Sequence, residues 1–122
     1  MRSVATPSCS FLEKNRDALA VRPGLGRDYE EAIRVLDDPM ASGNLGIPNR
    51  SRSVEEWTRL LGDTGWQLDS WVGIRLFCDL APDELSPERF EQLLQLEREA
   101  DRRDPYRLLS RLIHVSATGM PR

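Results

Sequence analysis

Residues 93–117 read LLQLEREADRRDPYRLLSRLIHVSA, and their order decides how the chain is built. Phe90, Leu93, Leu94, Glu97 and Ala100 fall on one side of a helix. Asp104-Pro105 stops it, because proline lacks the amide a helix needs and restricts the residue before it. Tyr106 to Ser110 makes a short turn, and Arg111 to Ala117 then alternates as a final strand. Upstream lies the other clear strand, Trp71 to Asp79, WVGIRLFCD. Val72, Ile74 and Leu76 alternate there against Trp71, Gly73, Arg75 and Phe77. Large apolar groups on both faces predict a sheet covered on both sides. Arg75 is the odd member. It needs a structural ion pair with an acid on a neighbouring helix, or an anion in a pocket.

Working outward, Ser86-Pro87-Glu88 has the form of a helix start, with serine as cap and proline at the first position. Ser53-Val-Glu-Glu56 has the form of a capping box. The helix behind it shows one apolar face of Trp57, Leu60 and Leu61, and stops between Gly62 and Gly65. Arg27 to Leu36 places Tyr29, Ala32, Ile33 and Leu36 at helical spacing, ended by Asp37-Asp38-Pro39. Met40 to Arg52 reads as a long solvated loop, in which Arg50 and Arg52 are too sparse for a phosphate patch. Cys9 to Leu12 could be the end of a strand. Lys14 to Val21 is one or two helical turns stopped by Pro23 and Gly24. Gly24-Leu-Gly26 lacks the third glycine of a dinucleotide loop. Residues 1–10 are expected to be a flexible terminus, 11–117 the folded body and 118–122 a tail.

Composition narrows the function classes. A chain of 122 residues is one domain or part of one. Its net charge of −3 gives no global basic field for nucleic acid. Cys9 and Cys78 lack metal-ligand spacing, and buried free thiols are expected. Neither a secretory leader nor an apolar run of about 20 residues is visible, which predicts a cytoplasmic protein off the membrane. The single histidine, His114, lies mid-strand with no nucleophile beside it. Spacing and composition alone reach a soluble α/β or α+β fragment.

Three ordered stretches add more. FLEKNRDALAVRPGL (residues 11–25) resembles the end of the fifth strand of class I S-adenosylmethionine-dependent methyltransferases, where an asparagine follows the strand. SVEEWTRLLGDTGWQLDSWVGIRLFCD (residues 53–79) resembles the helix, turn and sixth strand that end in a GVRxFxD pattern. LLQLEREADRRDPYRLLSRLIHVSA resembles the terminal helix, EPY turn and seventh strand. The subgroup it most resembles is the tRNA 5-carboxymethoxyuridine methyltransferase type. The resemblance implies an α/β fold of which this chain carries only part: the end of the fifth strand, the sixth, and an antiparallel seventh inserted between them. The half holding the glycine-rich loop and the ribose-binding acid is absent, so S-adenosylmethionine belongs to the full-length family and not to this chain alone. The expected function is the acceptor-side half of a methyltransferase, silent by itself.

For a carboxylate acceptor, the resemblance makes Arg75, Tyr106, Arg107, Arg111, Asn15 and His114 candidate substrate-binding residues. Asp79, Glu97 and Asp104 are candidate partners for their charges. No metal ligand set is expected. Expected partners are a separate chain with the missing half, or a second copy paired through an exposed sheet edge; RNA would be a partner of the full enzyme. The competing readings are a non-catalytic protein-binding module that retains the fold remnant, and a small nucleic-acid binder built on Arg50, Arg52 and the Arg98–Arg111 series.

Overall fold

The computed structural model describes residues 6–38, 40–42, 48–78 and 81–120. The chain runs β1 (Ser8–Lys14), a 3-10 turn (Arg16–Ala18), α1 (Val21–Leu25), α2 (Tyr29–Asp37), β2 (Met40–Ser42), β3 (Pro48–Arg50), α3 (Val54–Asp63), β4 (Trp66–Ile74), α4 (Pro87–Ala100), a second 3-10 turn (Tyr106–Leu109) and β5 (Leu112–Gly119). β1, β5 and β4 form a three-stranded sheet in that order. The last strand thus lies in the centre and runs antiparallel to both neighbours. β2 and β3 form a separate small antiparallel ladder.

The register explains the core. Cα partners in antiparallel strands share a face. Ile113, Val115 and Ala117 of β5 therefore lie beside Gly73, Trp71 and Leu68 of β4, and Val115 also faces Phe11 of β1. The register shifts between Leu68 and Ser70. That bulge keeps Trp71 on the same face as Leu68 despite the odd spacing. Val54, Trp57 and Leu61 of α3 close this face. Phe11 and Trp57 meet at a centroid distance of 4.6 Å. The capping box forms: Ser53 Oγ accepts from the Glu56 amide, and Glu56 Oε1 accepts from the Ser53 amide, both at 3.1 Å. Leu60, expected on the buried face, is turned outward, because the stripe that packs is Val54, Trp57, Leu61.

Several expected boundaries move. β4 starts at Trp66 and ends at Ile74, so Arg75 lies just beyond a strand instead of inside one. β4 is an edge strand with half-exposed side chains, not one covered on both faces. β1 begins at Ser8 and β5 runs to Gly119, inside the stretches expected to be flexible terminus and tail. Pro23 and Gly24 lie within α1 instead of stopping a helix before it; proline is tolerated because the first turn of a helix has unpaired amides in any case. The stretch from Met40 carries a two-stranded ladder. Cys9 is exposed and not buried as expected, and Cys78 is half-buried. Pro39 and Asp79 lie outside the described residues.

No helix among the described residues is long and apolar enough to cross a membrane.

Candidate functional site

β1 and β4 run in the same direction, since each is antiparallel to β5. Their carboxyl ends and the amino end of β5 therefore form one rim of the sheet. Asn15 follows β1, Arg75 follows β4, and Arg111 precedes β5. In open α/β sheets ligands bind outside the carboxyl ends of parallel strands. Three of the six polar candidates, Asn15, Arg75 and Arg111, lie on this rim.

Asn15 is only 2% exposed. Its Nδ2 donates to the carbonyls of Leu108 and Ser110, both at 2.9 Å, and its Oδ1 accepts from the Asp17 amide at 3.1 Å. Both amide hydrogens are committed, so Asn15 fastens the 106–110 turn to the end of β1 and does not reach a ligand itself. Ser110 is fully buried alongside, its Oγ 2.7 Å from the Arg107 carbonyl and 2.9 Å from the Leu112 carbonyl. Gly73 makes room for it: a Cβ there would sit 2.5 Å from Ser110 Oγ.

Arg75 adopts φ 63°, a left-handed conformation uncommon outside glycine. Two sets of bonds hold it there. The Arg111 amide donates to the Arg75 carbonyl at 3.3 Å. Glu97, 6% exposed, accepts from the next three amides, those of Leu76 and Cys78 at 3.1 Å and that of Phe77 between them. The Glu97 carboxylate thus folds the chain sharply after β4 and aims Arg75 along the rim. Such strain clusters at functional sites. Its neighbour one turn on, Asp101, has an Oδ1 sealed from solvent without a hydrogen-bond partner. Burial, then the Glu97 charge and a hydrogen bond with Glu97, push the Asp101 carboxyl up to about 6.

Arg75 and Arg111 line one narrow cleft together with Arg22 of α1, between apolar walls of Val21, Leu25, Leu76 and Leu109. Arg22 and Arg111 also line the adjoining cavity of about 380 Å³, with Lys14 and Val35 among its walls and Asp28 and Glu31 opposite. Glu31 is itself paired with Arg34 at 2.6 Å, and that guanidinium holds its carboxyl below the usual range. Asp28 Oδ1 caps α2 by accepting from the Glu31 amide at 3.3 Å. The two hollows form a cationic groove on the rim. Arginine forks suit planar anions such as carboxylates.

The other candidates fall elsewhere. Arg107 donates from Nε to Asp104 at 2.6 Å and from Nη1 to the Trp71 carbonyl at 3.0 Å, and its guanidinium lies 3.9 Å from the Trp71 ring centroid. It braces the turn after the Asp104-Pro105 bond, which is cis. Asp104, lowered by that same guanidinium, is the expected partner acid. Tyr106 is half exposed and lines neither hollow. His114 is mid-strand on the sheet face opposite α3, paired in register with Leu12 and Val72. The rim therefore unites Arg75 and Arg111, places Asn15 beneath them, and leaves Tyr106, Arg107 and His114 outside the groove. Arg22 was missed: nothing in its local sequence distinguishes it from other exposed helix arginines.

No protein-family model matches the chain. Among curated proteins it is 40% identical over 117 residues to the tRNA 5-carboxymethoxyuridine methyltransferase of Escherichia coli strain K12, a match that takes in 80% of this chain and 44% of that protein. The same enzyme from Escherichia coli O157:H7 matches to the same extent. The chain therefore spans less than half the length of the curated relatives it matches, and the resemblance read from residues 11–117 is to the same kind of protein.

Proposed function

We propose that this chain is the acceptor-side, C-terminal half of a class I S-adenosylmethionine-dependent methyltransferase that acts on a carboxylate of tRNA. The observation that carries the proposal is the 40% identity to the tRNA 5-carboxymethoxyuridine methyltransferase. The strand order supports it, because β1, β5 and β4 reproduce the fifth, seventh and sixth strands that the resemblance implies, with the last antiparallel between the other two.

The rim fits one reactant better than the other. Its groove presents Arg22, Arg75 and Arg111, a set that attracts an anion and repels a sulfonium. S-adenosylmethionine therefore belongs to the complementary half, where it would supply the methyl group, and no part of its site is assigned to this chain. Arg75 and Arg111 hold the acceptor carboxylate. An ionised carboxylate needs no proton removed before it reacts, so the work left to these residues is orientation. Asn15 and Glu97 serve that end indirectly, by fixing the backbone from which the arginines project.

The test pairs the chain with the portion of the E. coli relative that it does not match. The two are co-expressed, purified and assayed for methyl transfer to tRNA bearing 5-carboxymethoxyuridine. Transfer by the pair and not by either part is the expected result. Arg75→Ala and Arg111→Ala should each raise KM roughly 10- to 100-fold, the loss of one charged hydrogen-bonding partner. A purified pair that transfers no methyl group refutes the reading.

A further inference from the structure

The large apolar side chains that mark α2 by their spacing are exposed. Tyr29, Ile33 and Leu36 are 64%, 67% and 70% exposed, and Leu25 of α1, four residues before Tyr29, is 66% exposed. The helix is held instead by Val35, which is 6% exposed. Tyr29, Ile33 and Leu36, at intervals of four and three residues on one helix, make one stripe. By area it is roughly 400 Å², within the range of the largest patches that soluble proteins leave open.

We infer that this stripe is the docking surface for the complementary half of the methyltransferase. The inference rests on the reading above, and it names the contact surface that the reading leaves unspecified. Three observations choose this occupant over a second copy. A symmetric pair through the stripe would bury about 400 Å² per partner, short of the roughly 800 Å² of a stable interface, whereas a body that also adds to the β1 edge buries more. The rim of the stripe is acidic, with Glu30 and Asp37 exposed on α2, and two copies would set these charges against each other; the partner face should be apolar with a basic border. Lastly, the matched relatives extend well beyond this chain, which covers 44% of their length. Val35 and Leu36 of α2 border the same hollow as Arg16, Asp17, Leu19 and Ala20 in the turn that follows β1, and β1 is an edge strand of the sheet. A body that adds to that edge is in reach of the stripe as well.

The experiment uses the full chain, immobilised, with the unmatched portion of the E. coli relative as analyte. Ile33→Glu/Leu36→Glu changes two side chains that are already in water, so circular dichroism and the melting temperature should be unchanged. Tyr29→Ser is a milder second variant if the double change perturbs folding. Capture by the unaltered chain with at least a tenfold weaker Kd for the variants is the expected result. Equal capture by chain and variants overturns the surface while leaving the two-half reading intact. Failure of the unaltered chain to capture its complement overturns both. Sedimentation of the chain alone separates the remaining case: a dimer that the Glu substitutions dissolve would make the stripe a self-contact and overturn the inference.

Discussion

Replacing Glu97 by glutamine keeps the shape of the side chain and removes its charge. In the native chain Oε1 accepts from the Phe77 and Cys78 amides and Oε2 from the Leu76 amide. Glutamine offers one oxygen, which can keep the first two. Its NH2 group then faces the Leu76 amide donor to donor. An unpaired buried donor costs about 1–3 kcal/mol, and each surviving bond loses its charge assistance, about 0.5–1 kcal/mol apiece. Relief of the repulsion with Asp101 returns part of this, about 1 kcal/mol. The net loss is about 1–4 kcal/mol, whose middle corresponds to roughly 10 °C in Tm for a domain of this size. Thermal and urea unfolding of Glu97→Gln at pH 7 reads it directly. Stability within about 0.5 kcal/mol of the parent, the range of neutral surface changes, would refute the claim that this carboxylate shapes the bend after β4.

The neighbour should behave in the opposite sense. A carboxyl pushed up to about 6 binds its proton more tightly in the folded chain than in the unfolded one. Its contribution is therefore present at pH 4 and lost as the pH rises through 6. Asp101→Asn should match the parent near pH 4 and exceed it by about 1 kcal/mol at pH 8, allowing for partial exposure; equal melting curves at both pH values would contradict this. Asn15→Ala removes two donated bonds and one accepted bond and should cost about 2–4 kcal/mol, with Asn15→Asp worse because a carboxylate would face two carbonyls; a neutral Asn15→Ala in urea titration would mean the turn is held otherwise. Gly73→Ala forces its methyl against Ser110 Oγ and should lower stability by about 1–3 kcal/mol, an effect that Gly73→Ala/Ser110→Gly should largely reverse in a double-mutant cycle.

Local chemistry was the most legible part of the sequence. Ser53 with Glu56, and Ser86 with Pro87, mark two helix starts because a cap is written within the first turn it closes. The final strand, too, could be read from RLIHVSA, since its alternation matches a buried face and a half-buried one. Arg75 and Arg111 stood out through the patterns around them, and the fold brings them together. What failed depended on distant partners. Glu97 looked like an acid beside an apolar stripe, and only the bend at residues 76–78 gives it a task. The clear alternation of β4 starts only at Trp71, because Gln67, Asp69 and Ser70 face solvent on an edge strand and a bulge interrupts the pattern. Periodicity found α2 from Tyr29, Ile33 and Leu36, but the described residues leave these exposed and rest the helix on Val35 instead. Arg22 joins the groove only through the path of the chain around Pro23.

The central place of β5 has a consequence during synthesis. β1 and β4 make their main ladders only to this last strand. While the ribosome is still upstream of Leu112, the nascent chain holds two strands with no shared neighbour, and α3 has only half a surface to settle on. The sheet forms only once these residues have emerged and can close contacts with strands far back in the sequence. Without Leu112–Gly119 the other two strands would have no ladder to join, so these eight residues turn separate elements into a sheet.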